Sequence, residues 1–161
     1  MFYENIFRQF SAGINENNEL RAPFADGTSY LPLIAAADIS KEALKALMNP
    51  QKYAGKTRPI VSELLSMHEI AEATSRCLNR KIIYKEVSTD EWINEANQRE
   101  DVANLVQLQH LSTLWQHLLL SNKSGLLPFL RKLLSLKALF VKNDKMQIDT
   151  WLQANKDLFN K

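Results

Sequence analysis

Few residues in this chain are of a type that does chemistry, and their spacing decides what each can do. There are three histidines, His68, His110 and His117, and one cysteine, Cys77. The run "HEIAE" at His68 resembles the opening of a zinc-protease helix, but Ala71 and Glu72 stand where a second histidine is required. Zinc needs three or four convergent ligands, so this run holds no metal by its pattern. His110 and His117 lie two turns apart on one predicted helix, roughly 10 Å along its axis, too far to share an ion without a bend. Both project away from a leucine stripe and read as a solvated polar face. No metal site is expected.

The nucleophiles fare no better. Cys77 falls on the apolar side of its predicted helix with no histidine arranged beside it, which suits a buried, inert thiol. No serine sits in a G-x-S-x-G elbow. Tyr53 and Lys56 are three apart with Gly55 between them, not the Tyr-x-x-x-Lys pair in which a lysine one turn on lowers the phenol's pKa. A phosphate cradle needs closely spaced glycines so that backbone N–H groups can approach the anion. Gly13, Gly27, Gly55 and Gly125 are all far apart. The expectation is a chain that binds no nucleotide cofactor alone and carries no definable catalytic constellation.

One stretch is strongly basic. Residues 123–145 hold Lys123, Arg131, Lys132, Lys137, Lys142 and Lys145 against one acid, Asp144. Leucines and phenylalanines nearly encircle this segment, so a core helix with lysine stems reaching water explains it better than an interfacial or partner-binding helix.

The elements that would position these residues are mainly helical. Phe2, Ile6 and Phe10 recur at helical spacing, with Gly13 as the expected stop. In "ELRAPFADGTSYLPLI", Asp26-Gly27 lies between two extended arms and predicts a tight reversal, with Pro23 and Pro32 limiting the arms to short or edge pairing. Asp38 is available as a cap for a helix whose apolar face is Ile39, Ala43, Leu44, Leu47 and Met48, ended by Asn49-Pro50. "RPIVS" is a short strand. Ser66 and Glu69 stand in capping-box register, and Ile70, Ala71, Thr74, Cys77 and Leu78 line the helix they start. Asn79 suits its left-handed exit. "KIIYKEV" is β-branched and aromatic, hence a strand. Ser88 and Glu91 launch a further helix through Trp92 and Ile93. Leu105, Leu108, Leu111, Trp115, Leu118 and Leu119 form one helical stripe. Pro128 suits the first turn of another helix, and Ile148, Trp151, Leu152, Leu158 and Phe159 belong to a last one. The fold class is therefore α+β and mostly helical, with a small sheet or hairpins and about five to six helices.

Length and composition set the bounds. At 161 residues and 45% apolar, the chain fits a single domain over 1–161 with a real core. A formal charge of +2 lacks the basic excess of a nucleic-acid binder. One cysteine excludes an internal disulfide framework and points to a reducing, cytoplasmic setting. "MFYENIFRQF" lacks the features of a signal peptide. The most apolar run, "GLLPFLRKLLSLKALFV", is interrupted by Arg131, Lys132 and Lys137 and is too short to span a membrane.

The order of segments resembles NmrA-like proteins, atypical members of the short-chain dehydrogenase/reductase superfamily. "FYENI" resembles the aromatic-aromatic-Glu-Asn segment after their sixth core strand. "APFADGTSYLPLIAAADIS" is similar to their Pro…Asp-Gly hairpin and Asp-Ile-Ala helix start. "NPQKYAGKTRPIVSELLSMHEIAEATSRCLNRKIIYKEVS" resembles the next block of loop, short strand, capped helix and strand, and "IDTWLQANKDLF" the closing helix. The sequence departs from the pattern in "IVSEL", where a glycine often follows the short strand, and at Asn79, which replaces a helix-exit glycine.

The resemblance covers only the family's C-terminal, substrate-side portion. It implies that the glycine-rich loop and first five strands of the Rossmann half would lie upstream of Met1, and that NAD(P) belongs to the complete fold. It places Phe2, Tyr3 and Asn5 as lining near the mouth of the substrate and nicotinamide pocket, with no catalytic role. The partner it implies is an N-terminal Rossmann half, together with a small-molecule substrate. Alternatives are a regulatory, protein-binding descendant of a redox sensor, or a self-contained domain that forms a homodimer through segments 105–119 or 126–140.

Overall fold

The computed structural model describes residues 1–24, 27–28, 30–57, 60–98 and 145–160. The expected helices over 105–119 and 126–140, His110, His117 and most of the basic stretch lie outside the described residues.

Helix α1 (Glu4–Asn17) buries Ile6, Phe10, Gly13 and Ile14. It does not stop at Gly13, as expected from the sequence, but runs to Asn18, whose left-handed backbone (φ 56°) closes it. Gly13 serves a different purpose: a Cβ there would lie 2.7 Å from the Glu19 carbonyl oxygen, where the chain reverses against its own helix. Strand β1 (Glu19–Ala22) follows, then β2 (Leu31–Leu33).

These two arms do not pair with each other, which corrects the expected hairpin. β1 pairs in parallel with β4 (Ile83–Glu86), and β2 pairs antiparallel with β3 (Glu63–Leu65). The cause lies between them. Gly27, at φ 73°, sits under the ring of Tyr84, where a Cβ would come within 2.4 Å of the ring. The Tyr84 hydroxyl donates to the Ala22 carbonyl at 2.9 Å and accepts from the Phe24 N–H at 3.2 Å. Met67 N–H donates to the Gly27 carbonyl at 3.0 Å. The turn is thus fastened to β4 and to the start of the next long helix, and β2 is directed to another sheet. "KIIYKEV" is a strand as read, and its neighbour is β1.

The short strand expected at 58–62 forms instead just after that stretch, at β3 (Glu63–Leu65), with Ser62 N–H donating to the Leu33 carbonyl at 2.7 Å. Helix α2 (Ala36–Met48) ends at Asn49-Pro50 as expected, and a single turn, α3 (Pro50–Tyr53), follows. Asp38 is not its cap. It lies inside the first turn, and the Glu4 carboxylate instead receives the Ala36 N–H at 3.2 and 3.3 Å.

Helix α4 (Met67–Leu78) forms as its sequence predicts. Ser66 and Glu69 complete the capping box, and Asn79 leaves in left-handed geometry. Helix α5 (Thr89–Gln98) begins with Ser88 Oγ accepting the Glu91 N–H at 3.1 Å. Arg21 on β1 ties it down through Glu91 and Glu95 at 2.5 and 2.7 Å, with Glu19 at 2.9 Å on its own strand. Helix α6 (Ile148–Ala154) and a 3₁₀ turn (Lys156–Asn160) return to the body. One core joins Ile6, Phe10 and Ile14 of α1 with Leu20, Leu33, Met67, Ile70, Trp151, Leu152 and Phe159. The fold is α+β and mostly helical, with six α-helices and two two-stranded sheets among the described residues.

Candidate functional site

The three residues expected to line a pocket sit where the first residues of the chain cross β2. Phe2 bridges Ile34 in parallel; Tyr3 N–H donates to the Ile34 carbonyl at 3.0 Å and Ile34 N–H to the Met1 carbonyl at 3.1 Å. Side chains alternate across a strand. Phe2, Pro32, Ile34 and Leu64 therefore share the outer face, while Leu31, Leu33 and Glu63 turn to the core side. Phe2 is 46% exposed, and Tyr30, one residue before β2, is 48% exposed. On this face Ile34 is buried and Leu64 half-buried, while Phe2, Pro32 and Tyr30 reach solvent and make an apolar, partly aromatic wall suited to stacking against a flat or greasy ligand. Asn5 is half-buried in the first turn of α1.

Tyr3 points the other way and is completely buried. Its hydroxyl donates to Glu63 Oε1 and lies 3.2 Å from the Met146 carbonyl. Burial and the neighbouring Glu63 carboxylate push its phenol far above the ordinary tyrosine range, so it remains a neutral donor. Glu63 Oε1 also accepts the Ile148 N–H at 2.5 Å. Asp38 is buried beside this group, receiving the Met146 N–H at 2.7 Å and the Lys41 ammonium at 2.9 Å. Burial alone would raise its pKa; the Lys41 and Met146 donors outweigh that and hold the carboxyl below the usual range. Neither Glu63 nor the anchoring role of Asp38 was read from the sequence. The one hint was an acid at 63 amid the apolar run "IVSELL".

Among the described residues, Cys77 and His68 are accounted for by packing. Cys77 is buried, and burial pushes its thiol pKa up, away from nucleophilic thiolate. His68 stands edge-on to the Tyr84 ring at 5.4 Å. Among the described residues no three His, Cys, Asp or Glu side chains converge on a metal position. None of the described helices is long and apolar enough to cross a membrane. A cleft between α1 and α5, lined by Gln9, Phe10, Gly13, Arg21, Trp92 and Glu95, is only water-sized.

The family model for NmrA-like proteins matches residues 1–126, most of the 161-residue chain. The chain belongs to the NmrA-like family. This family is NAD(P)-binding and oxidoreductase-like in general. No curated protein matches the chain. Within the NmrA-like frame the matched stretch contains the Phe2 wall, α2 and α4, whereas α6 lies past its end.

Proposed function

We propose that this chain forms the substrate-side lobe of an NmrA-like, NAD(P)-dependent oxidoreductase-like protein and leaves the cofactor to a separate dinucleotide-binding half. Phe2 and Asn5 contribute to the wall of the substrate pocket, and Tyr3 supports that wall from behind. The observation that carries this reading is the orientation of α2. Its apolar residues Leu44, Leu47 and Met48 are 58%, 78% and 72% exposed, while the side it buries carries Asp38. A helix normally turns its apolar stripe inward. A contiguous exposed stripe marks a surface made to be covered, and the dinucleotide-binding half is the cover that family membership suggests. The widely spaced glycines agree with a lobe that cradles no pyrophosphate of its own.

The test is a calorimetric titration of the purified chain with NADPH and then NADH. The expected result is no heat beyond dilution with either. Micromolar binding would overturn the reading, because it would require a phosphate site on this chain itself. Sedimentation of the same sample addresses the cover. A tight homodimer dissociated by Leu47→Asp would assign the α2 stripe to a second copy and overturn the reading of a dinucleotide-binding half as its cover.

A further inference from the structure

We infer that residues 145–160, which lie beyond the family-matched stretch, act as the anchor that positions the Phe2 wall, with Tyr3 and Glu63 as positioning residues. Phe2 has no buried seat of its own, so its place is set by what holds the backbone on either side. On one side is Tyr3, whose hydroxyl is received by Glu63 and lies beside the Met146 carbonyl, and whose ring packs 5.9 Å from that of Trp151 on α6. On the other is Ile34, at the end of β2, where the chain turns into α2; four residues on, Asp38 holds the Met146 N–H. β3, the strand paired to β2, is pinned as well, since Glu63 receives the Ile148 N–H.

Three backbone segments of the wall thus converge on one short stretch, residues 146–148. That stretch needs them in return. Gln147 makes no side-chain cap, so acceptors for the Met146 and Ile148 N–H groups come from Asp38 and Glu63. A helix of seven residues does not persist alone and draws its stability from docking, here through buried Ile148, Trp151 and Leu152, and through Phe159 edge-on to Phe7 at 5.7 Å. The seat and the wall are therefore one mechanical unit. Its functional weight rests on the reading of the Phe2 face as a pocket wall.

The test places 4-fluorophenylalanine at position 2 of the full chain and follows its fluorine resonance by NMR. Tyr3→Phe, which deletes only the hydroxyl, and Glu63→Ala are expected to shift or broaden the line. Glu63→Gln keeps an acceptor for Tyr3 and for the Ile148 N–H, and should restore it. Arg76→Ala is the control, because the Arg76–Asp149 pair at 2.9 Å also holds α6 but touches neither Tyr3 nor Glu63. An unmoved line in Tyr3→Phe overturns the inference, as does an equal movement in Arg76→Ala. If Glu63→Ala fails to fold, Tyr3→Phe against Glu63→Gln decides. The resonance reports anchoring with no ligand present, so failure here is distinct from failure of the cofactor titration.

Discussion

Helices α2 and α4 are of similar length and are both amphipathic in sequence, yet the fold uses them in opposite ways. α4 turns Met67, Ile70, Ala71, Ala73, Thr74 and Cys77 into the core and carries its own capping box. α2 buries Asp38, borrows an acceptor from Glu4, and presents Leu44, Leu47 and Met48 to solvent. The difference teaches that an apolar stripe specifies a helix and a need for burial, but not which neighbour supplies the burial. In α4 the neighbours are β4 and α6 of the same chain. In α2 the stripe is left uncovered by the described residues, as the proposed docking of a second half requires.

The largest effect should come from the α4 side. Ile70→Ala deletes a fully buried side chain and is expected to cost about 2–5 kcal/mol, read from the urea midpoint. Asp38→Asn follows, because it weakens charge-assisted hydrogen bonds to Lys41 and Met146; we expect a loss of about 1.5–3 kcal/mol at neutral pH. Its pH dependence has a definite sign. The folded carboxyl titrates below its ordinary range, so its stabilisation is complete above that range and is lost as pH falls through the lower folded value. Asp38→Asn should therefore show a flatter acid limb than the parent in urea midpoints measured from neutral pH downward.

Ser66→Ala breaks one half of the α4 capping box and should cost about 1 kcal/mol in the same assay. The smallest effect is the most informative. Leu47→Ala should change the stability of the isolated chain by no more than about 0.5 kcal/mol, as for an exposed site. A Leu47→Ala cost approaching that of Ile70→Ala would mean that the α2 stripe is already covered, and the contrast between the two helices would be lost.

Much of the framework was legible residue by residue. Local chemistry decides local structure: Ser66 with Glu69 starts α4, Asn79 ends it, Ser88 starts α5, and Asn49-Pro50 ends α2, because each acts on backbone groups within a turn of itself. "KIIYKEV" was readable as a strand for the same reason. The inert reading of Cys77 also follows from its place on the helix.

Other features were decided only by residues distant in sequence. Gly13 read as a stop because a glycine weakens a helix, but the close approach of the Glu19 carbonyl gives it a place inside α1. Asp26-Gly27 carried a hairpin signal that yielded to Tyr84, some sixty residues on, whose hydroxyl fastens the arm of β1. Asp38 looked like a cap because helix starts favour aspartate; its partner is Met146, more than a hundred residues away. The spacing that placed Phe2 on the apolar face of α1 could not reveal that the helix begins after it, with Phe2 facing out and Tyr3 buried against Glu63. Backbone capping and side-chain periodicity are short-range and so are written in the sequence. Sheet partners, buried ion contacts and the direction of the α2 stripe depend on which surfaces meet once the core closes, and tertiary structure alone settles those.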